Sequence, residues 1–416
     1  MKLLTNNYLI FLKKLIIKNE LKFLYFFLLL AAFNNVSHFI RKNLLGDRID
    51  FWDFHVYWCS ANKFLSGLNP YGGKIIKECL SQFNFDLYFS YPPIVLKSLL
   101  FLGYFEITYA KFIWIFIIFL SLIAIINYSR KTFFDKETTL FLYVLIIIFS
   151  FGGLVWGAIM AGNISIILYF VLSYGLFKLS KKQLIPYYFS ITIISIVKFP
   201  FLIFLSLPTF LYGLKEIKRL IIFFFLVSLI YYLQFIFDNE LFLSFINSTK
   251  SYKGENFLAI HGTGLGFHGI IDLFQSLIFS KKNLGYMNPS SYISLILHLF
   301  ISLILYASAF FLYKTKKKLD EKQIKLLISF FVIIFLCCFP RISSYDFFLI
   351  IPSLFYIFNN SRIKLLSSKW HLVISAIIIM MISIYDARNP AFIISITIFI
   401  CFYLQIKNKD PFYLEK

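Results

Sequence analysis

Carboxylates, tyrosines and turn-forming residues gather in one polar stretch of an otherwise apolar sequence, between residues 50 and 93. If residues 51–66 form a helix, Asp50 lies at its N-cap and Asp53 in its first turn. Spacings of three and four residues then place Asp50, Asp53 and Tyr57 on one helix face. A carboxylate there can take a proton from a hydroxyl group, but two aspartates at a helix start can also serve only as caps. The spacing leaves both interpretations open.

The composition indicates a protein embedded in a membrane. Of the 416 residues, 60% are hydrophobic and 55 are Phe, and the mean hydropathy is +0.79. Apolar runs of bilayer-spanning or nearly spanning length recur along the whole chain. We therefore predict an all-α polytopic membrane protein with about 10–13 transmembrane helices and with re-entrant or juxtamembrane helices on its outer face. Residues 1–416 are expected to form a single membrane domain.

The basic residues predict how the chain lies in the bilayer. The formal charge is +21, but the lysines and arginines form short clusters between apolar runs, which is typical of cytoplasmic loops and not of nucleic-acid binding. We predict an integral inner-membrane protein with both termini in the cytoplasm and with residues 1–20 as a cytoplasmic amphipathic segment. Residues 41–91 and 238–290 become the first and second outer loops. Most carboxylates fall outside in this arrangement, so function is expected on the extracytoplasmic face.

Two interruptions of the apolar pattern are informative. Residues 92–104 are too short to span and predict a re-entrant or interfacial helix. Residues 184–212 begin and end at basic clusters but are broken by Lys198 and Pro200, so the chain is expected to go out and return with a break near the membrane. A lysine at that depth is costly without a purpose, although its side chain can also snorkel to the surface.

The cysteines and acidic residues give little sign of a metal site. Cys59 and Cys79 lie in the polar stretch and can pair if it faces an oxidising compartment; the sequence leaves this open. Neither Cys/His metal spacing nor an outer Asp-x-Asp occurs, so we expect no obligatory metal and no cofactor.

The residues of the polar stretch resemble a known family. From Asp53 to Tyr71 the sequence reads D-F-H-V-Y-W-x-x-A-x-x-F-L-x-G-x-N-P-Y, and Tyr-Pro-Pro follows at residues 91–93. This order is similar to the first outer loop of glycosyltransferase family 87, a C-type glycosyltransferase family that uses polyprenyl-phosphate sugars. Shorter resemblances follow in the same order along the chain. They are Gly162-Asn163, residues 197–200 with Lys198 and Pro200, and residues 340–346 with Arg341 and Asp346.

The resemblance implies a C-type fold and a reaction. The enzyme would move a monosaccharide, a hexose such as mannose, from a polyprenyl-phosphate carrier to a hydroxyl of a lipid-linked glycan or glycolipid. Asp53 matches the family's catalytic base, with Asp50 and Tyr57 as possible support. Inversion at the anomeric carbon requires such a base, and partial desolvation at a membrane surface raises its basicity.

The leaving phosphate needs cationic partners, for which Lys198 and Arg341 are the first candidates and Arg388 the third. Arg341 can equally be an interfacial anchor or pair with Asp346. Other side chains are candidates for the substrate pocket: Tyr91, Asn163, His261 and Asp346. His268, which lies with His261 in the second outer loop, is a further candidate. A loop histidine is usually only solvated, and aromatic residues are common at membrane surfaces.

Two other functions remain open. A lipid-linked oligosaccharide polymerase or ligase concentrates arginine in a late outer loop, whereas residues 238–289 contain four lysines and no arginine. A flippase or transporter is favoured by ionisable residues along a central path and often by internal repeats. Here the carboxylates cluster outside instead, and no repeat is evident.

Overall fold

Helices make up most of the described part of the chain. The computed structural model describes residues 51–71, 88–133, 140–149, 154–251 and 321–338, with isolated residues at 26–40, 79, 299–307 and 350–356. The α-helices there are α1 Trp52–Leu65, α2 Pro93–Gly103, α3 Ile107–Phe133, α4 Leu140–Phe149, α5 Leu154–Ala161, α6 Ser165–Ser180, α7 Leu184–Val197, α8 Leu207–Tyr212, α9 Ile217–Phe237, α10 Asn239–Ser251 and α11 Glu321–Cys337. No strand occurs within these ranges, which confirms the all-α prediction.

Two of these helices are long and apolar enough to cross a membrane. They are α3, with 27 residues, and Leu214–Phe237, which joins α9 to the short 3-10 turn before it. Large apolar side chains lie on their surfaces, with Phe112, Phe225 and Phe237 exposed by 67%, 66% and 78%. Such an apolar surface is expected of helices that face lipid. Among the described helices, these two are long and apolar enough to cross a membrane. The larger number of crossings stays a prediction.

The predicted break after α7 is present. Lys198 is extended, with φ −130° and ψ 96°, and a 3-10 helix, Phe199–Ser206, follows before α8. Proline explains why α7 does not continue, because Pro200 has no N–H to donate to the carbonyl oxygen of Ile196 and its ring would clash with that carbonyl in a continuous α-helix. The hydroxyl of Tyr212 donates to the carbonyl oxygen of Leu179 at 2.8 Å. The chain therefore goes out along α7 and returns to the end from which it started.

Three further segments show details that the apolar pattern did not give. The apolar run that begins at Leu140 contains two helices, α4 and α5, and residues 150–153 between them lie outside the described residues. The segment predicted to be the second outer loop, residues 238–290, opens with helix α10. Residues 92–104 contain α2, which at about 1.5 Å per residue is too short to span a bilayer, as predicted.

Helix α3 connects two groups of polar side chains. Near its start Trp114 is buried beneath α1, and its indole N–H donates to the carbonyl oxygen of Gly162 at 2.8 Å. Near its end lie Arg130 and Lys131. Helices α6 and α7 pack closely between these two ends, because a Cβ on Gly175 would lie 2.9 Å from the Cβ of Ser190.

Candidate active site

Helix α1 begins at a contact with α5. Phe51 is its N-cap residue, in the left-handed region with φ 63° and ψ 33°, and no side chain caps the helix. The Phe51 N–H donates to the carbonyl oxygen of Met160 at 2.8 Å. The predicted N-cap at Asp50 is therefore wrong, because a backbone hydrogen bond to another element fixes this helix start. Asp50 itself lies outside the described residues.

Gly162 allows the turn after α5 to approach α1. Its φ is +65°, which favours glycine, and a Cβ there would lie 2.7 Å from Cδ1 of Phe51 and 3.0 Å from Cβ of Phe54. A side chain at this position would push the start of α1 away from the turn. The Gly-Asn pair recognised in the sequence thus has a steric reason for its glycine.

Asp53 and Asn163 are joined by a hydrogen bond. The amide nitrogen of Asn163 donates to Oδ2 of Asp53 at 2.6 Å, and its amide oxygen accepts the N–H of Ser165 at 2.8 Å. Asn163 is 2% exposed, whereas Asp53 is partly exposed. A hydrogen bond to an ionised group is stronger than a neutral one. The amide therefore holds the Asp53 carboxylate in a fixed orientation at the surface of the helices.

Tyr57 contacts the turn that carries Asn163 from the buried side. Its hydroxyl accepts the N–H of Ile164 at 3.2 Å and lies 3.3 Å from the Tyr91 hydroxyl. Its ring contacts Trp114, with 5.5 Å between centroids, and the residue is only 1% exposed. Burial raises the pKa of Tyr57 well above its ordinary value. Tyr57 thus remains neutral and positions the segment that carries Asn163, while partly exposed Tyr91 lies nearer the surface.

Lys198 reaches the other end of this segment. Its ammonium donates to the Ser165 hydroxyl oxygen at 2.7 Å, and the residue is half-buried. Asn163 and Ser165 are two residues apart, so their Cα atoms are separated by at most about 7 Å. The carboxylate of Asp53 and the ammonium of Lys198 are therefore bonded to opposite ends of one short turn, at the break that follows α7.

The structure thus brings together Asp53, Tyr57, Tyr91, Asn163 and Lys198. The remaining candidates lie outside the described residues, and their positions stay predictions. These are Asp50, His261, His268, Arg341, Asp346 and Arg388.

Two residues beside the site were not singled out by sequence reasoning. Ser165 is the bridge to Lys198, and nothing in its spacing indicated this. The ammonium of Lys111 lies 5.1 Å from the centre of the Phe51 ring. Burial, and then the charge of Lys111, lower the pKa of His55 to about 4, so this histidine is neutral at pH 7. The sequence alone could have singled out Lys111, because a lysine within an apolar run is rare without a role.

A disulfide fastens the polar stretch to α1. Cys59, in the middle of α1, is bonded to Cys79, with 6.2 Å between the Cα atoms. The pairing that the sequence left open is therefore present. It closes a loop that contains the Asn-Pro-Tyr turn.

Hydrogen bonds hold this turn against later parts of the chain. The side-chain amide of Asn69 donates to the Ser244 hydroxyl oxygen at 2.9 Å. The Tyr71 hydroxyl donates to the carbonyl oxygen of Tyr91 at 2.7 Å, and that of Ser248 to the carbonyl oxygen of Phe89 at 3.2 Å. Helix α10 thus covers the described parts of the polar stretch around Asn69 and Phe89.

The fold and the site define an all-helical, membrane-associated protein with a carboxylate and a lysine held at one end of its apolar helices. The sequence profile of glycosyltransferase family 87 matches residues 89–340, more than half of the chain. The chain belongs to glycosyltransferase family 87 and is a glycosyltransferase. No curated protein and no solved structure matches it. The matched stretch contains Tyr91, Asn163 and Lys198, whereas Asp53 precedes it and Arg341 follows it.

Proposed function

We propose that this glycosyltransferase moves a hexose, mannose being the first candidate, from a polyprenyl-phosphate carrier to a hydroxyl of a lipid-linked glycan or glycolipid. Asp53 is the general base. The observation that carries the proposal is the fixed turn of Asn163 and Ser165, which binds the carboxylate of Asp53 at one end and the ammonium of Lys198 at the other. A base and a cation that are both hydrogen-bonded to one turn match the two demands of glycosyl transfer from a phosphate.

The reaction then runs as one displacement. The acceptor hydroxyl oxygen attacks the anomeric carbon while its proton passes to the Asp53 carboxylate. The new bond joins the acceptor oxygen to the sugar, and the bond between the anomeric carbon and the phosphate oxygen breaks. Polyprenyl phosphate leaves with the electron pair. Asp53 later returns its proton to water.

Lys198 stabilises the departing phosphate, and Arg341 is proposed as a second cation. A helix break supports this role for Lys198, because it places the ammonium beside irregular backbone at the end of α7 and not along a lipid-facing helix. Tyr91, Asn163, His261 and Asp346 are proposed to line the sugar and acceptor sites. Tyr57 positions the turn from its buried place, and Asp50 precedes the helix start.

The proposal includes an arrangement in the membrane. The end with Asp53 faces the extracytoplasmic side of the inner membrane, and both termini are cytoplasmic. Residues 1–416 act as a single membrane domain. A carboxylate near the membrane surface is then accessible both to a donor embedded in the bilayer and to a glycan outside it.

The first test compares Asp53→Asn with wild type and with Asp238→Asn. Asp238 is a matched control, because it lies near the same end and forms a partly exposed ion pair with Lys97, at 2.6 Å. Purified proteins receive radiolabelled polyprenyl-phosphate mannose and a lipid-glycan acceptor extract. We expect Asp53→Asn to lower the transfer rate by about 10²–10⁴-fold, the usual contribution of a general base. Asp238→Asn should stay within about threefold of wild type, because surface ion pairs contribute little.

Two outcomes would contradict the proposal. If Asp53→Asn transfers sugar as fast as wild type while both elute alike in detergent, Asp53 is not the base. If wild type moves the carrier lipid across proteoliposomes without changing its mass, the protein acts as a flippase. Other labelled carriers, tested in parallel, separate a wrong sugar from a wrong mechanism.

A further inference from the structure

A second site lies at the far end of α3. A cavity of about 1040 Å³ opens there, between the end of α3, the start of α4, the end of α6 and α11. Its apolar lining consists of Ile123, Ile126, Leu140, Val144 and Phe177, and its polar lining of Asn127, Arg130, Lys131, Lys181 and Lys325. Trp114, below the Asp53 site, and Asn127 are about 20 Å apart along α3 at 1.5 Å per residue. The cavity is therefore separate from the site proposed for sugar transfer.

Cations dominate this cavity. Four basic side chains line it: Arg130 and Lys131 from the end of α3, Lys181 just after α6, and Lys325 from α11. Glu321, the first residue of α11, forms ion pairs with two of them. Its Oε1 lies 3.2 Å from the ammonium of Lys181 and 3.2 Å from that of Lys325. The two lysines hold the pKa of Glu321 below its usual range. Among the described residues, four cations line the cavity and one carboxylate pairs with two of them. The excess of positive charge suits an anion with several oxygen atoms.

The apolar side of the cavity continues onto the lipid-facing surface. Ile123 and Leu140 line the cavity and are 50% and 53% exposed. Helix α3 is one of the two helices that are able to span a bilayer. A molecule with a phosphate at the basic end and hydrocarbon along Ile123 and Leu140 would match both kinds of lining. A soluble anion would match the basic end alone.

We propose that this cavity binds the phosphate headgroup of an anionic phospholipid, whose acyl chains lie along α3 and α4. Basic clusters beside spanning helices attract anionic lipids by about 1 kcal/mol per Lys or Arg near the surface. Arg130 and Lys131 contact the phosphate, and Lys181 and Lys325 complete the positive surround. The inference stands independently of the sugar donor and of Asp53.

The test is native mass spectrometry of the full chain, released from detergent that contains equal amounts of phosphatidylglycerol and phosphatidylcholine with the same acyl chains. We expect wild type to retain at least about five times more phosphatidylglycerol, equivalent to about 1 kcal/mol. Arg130→Gln/Lys131→Gln should retain equal amounts of phosphatidylglycerol and phosphatidylcholine. The control is Lys215→Gln/Lys218→Gln, which removes the same charge from exposed lysines at the start of the other spanning helix. These lysines do not line the cavity, so the control should lose less of the preference than the cavity variant.

A variant with the opposite sign keeps the proposal testable if the double variant is unstable. Glu321→Gln removes the carboxylate that engages Lys181 and Lys325, so it should increase retention of phosphatidylglycerol above wild type. Equal retention of both lipids by wild type would overturn the proposal. So would an equal loss in the cavity variant and in its control.

Inorganic phosphate separates a lipid headgroup from a soluble anion. At 10 mM it should leave the phosphatidylglycerol adducts of wild type unchanged, because it lacks the hydrocarbon that the apolar lining accepts. If phosphate instead abolishes these adducts and raises the thermal stability of wild type but not of Arg130→Gln/Lys131→Gln, the cavity takes a soluble anion. The lipid assignment would then be wrong.

Discussion

A glycine decides where Asp53 lies. Gly162 has no side chain, so the Phe51 ring can occupy the space where a Cβ would be, and α1 can start against α5. The next residue, Asn163, then meets the carboxylate of Asp53. The close approach of α1 to the turn after α5 thus depends on the absence of a side chain at Gly162. Substitutions of three glycines test this.

We predict that Gly162→Ala is destabilising and slows sugar transfer. The left-handed backbone costs an alanine about 1–2 kcal/mol, and the contact with Phe51 adds about 1–3 kcal/mol. Gly67→Ala has the same kind of backbone, φ +79°, but open space, so it should cost only the backbone penalty of about 1–2 kcal/mol. Gly157→Ala lies in α5 with open space and should be neutral or stabilising by up to about 1 kcal/mol. Thermal unfolding in detergent measures the order.

The order of the three variants is the critical result. If Gly162→Ala is no less stable than Gly67→Ala, the contact with Phe51 does not constrain the site. If Gly162→Ala is less stable yet transfers sugar at the rate of wild type, the position of α1 is not coupled to the reaction.

Part of the site was predictable residue by residue. The spacing of Asp53 and Tyr57 placed both on one face of α1, and the helix is present. The Gly162-Asn163 pair was singled out by resemblance alone. The bond between Asn163 and Asp53 was not predictable, because helical periodicity gives the face on which a side chain lies but not the element that packs against it. For the same reason the bridge from Ser165 to Lys198 was missed.

At the scale of elements, the breaks were easier to predict than the ends. Pro200 marked the interruption after α7, since a proline in the interior of a helix removes a hydrogen bond and clashes with the preceding turn. Helix α11 begins at Glu321, within a run rich in lysine. Glu321 and Lys325, four residues apart, form an ion pair that supports a helix there. Charge alone therefore does not distinguish a loop from the end of a helix.

The disulfide is an element-scale constraint with a measurable effect. Cys59 and Cys79 are separated by 20 residues, and closing a loop of that length stabilises a fold by about 3 kcal/mol. We predict that Cys59→Ser/Cys79→Ser unfolds at a lower temperature than wild type. A reductant should lower the unfolding temperature of wild type towards that of the variant and leave the variant unchanged. Equal unfolding temperatures in both proteins without reductant would contradict this.

At the scale of the whole molecule, the two ends of α3 differ in chemistry. One end has Asp53, Asn163 and Lys198, and the other has the basic cavity around Arg130. This separation has the sense expected if basic residues remain in the cytoplasm. The sequence was enough to compare the basic residues of the predicted inner and outer segments. It could not predict the cavity, because residues from α3, α4, α11 and the end of α6 form it together.

The orientation is testable by labelling. Glu106→Cys lies at the Asp53 end and Lys215→Cys at the other end, and both positions are exposed. In spheroplasts, a membrane-impermeant maleimide should label Glu106→Cys directly and Lys215→Cys only after permeabilisation. Wild type provides the background from native cysteines. Labelling of both from the same side would contradict a crossing between them, and the reverse pattern would place Asp53 in the cytoplasm.

The hydrogen bond between Asn69 and Ser244 has a consequence for biosynthesis. The two residues are 175 positions apart, and a ribosome adds about 5–20 residues per second. About 9–35 s therefore pass between the synthesis of Asn69 and the synthesis of Ser244 in α10, which covers the polar stretch. The disulfide joins residues only 20 positions apart, so its two cysteines are available to each other soon after they are made. The early crosslink can hold the turn near α1 during an interval in which its final partner has not yet been translated.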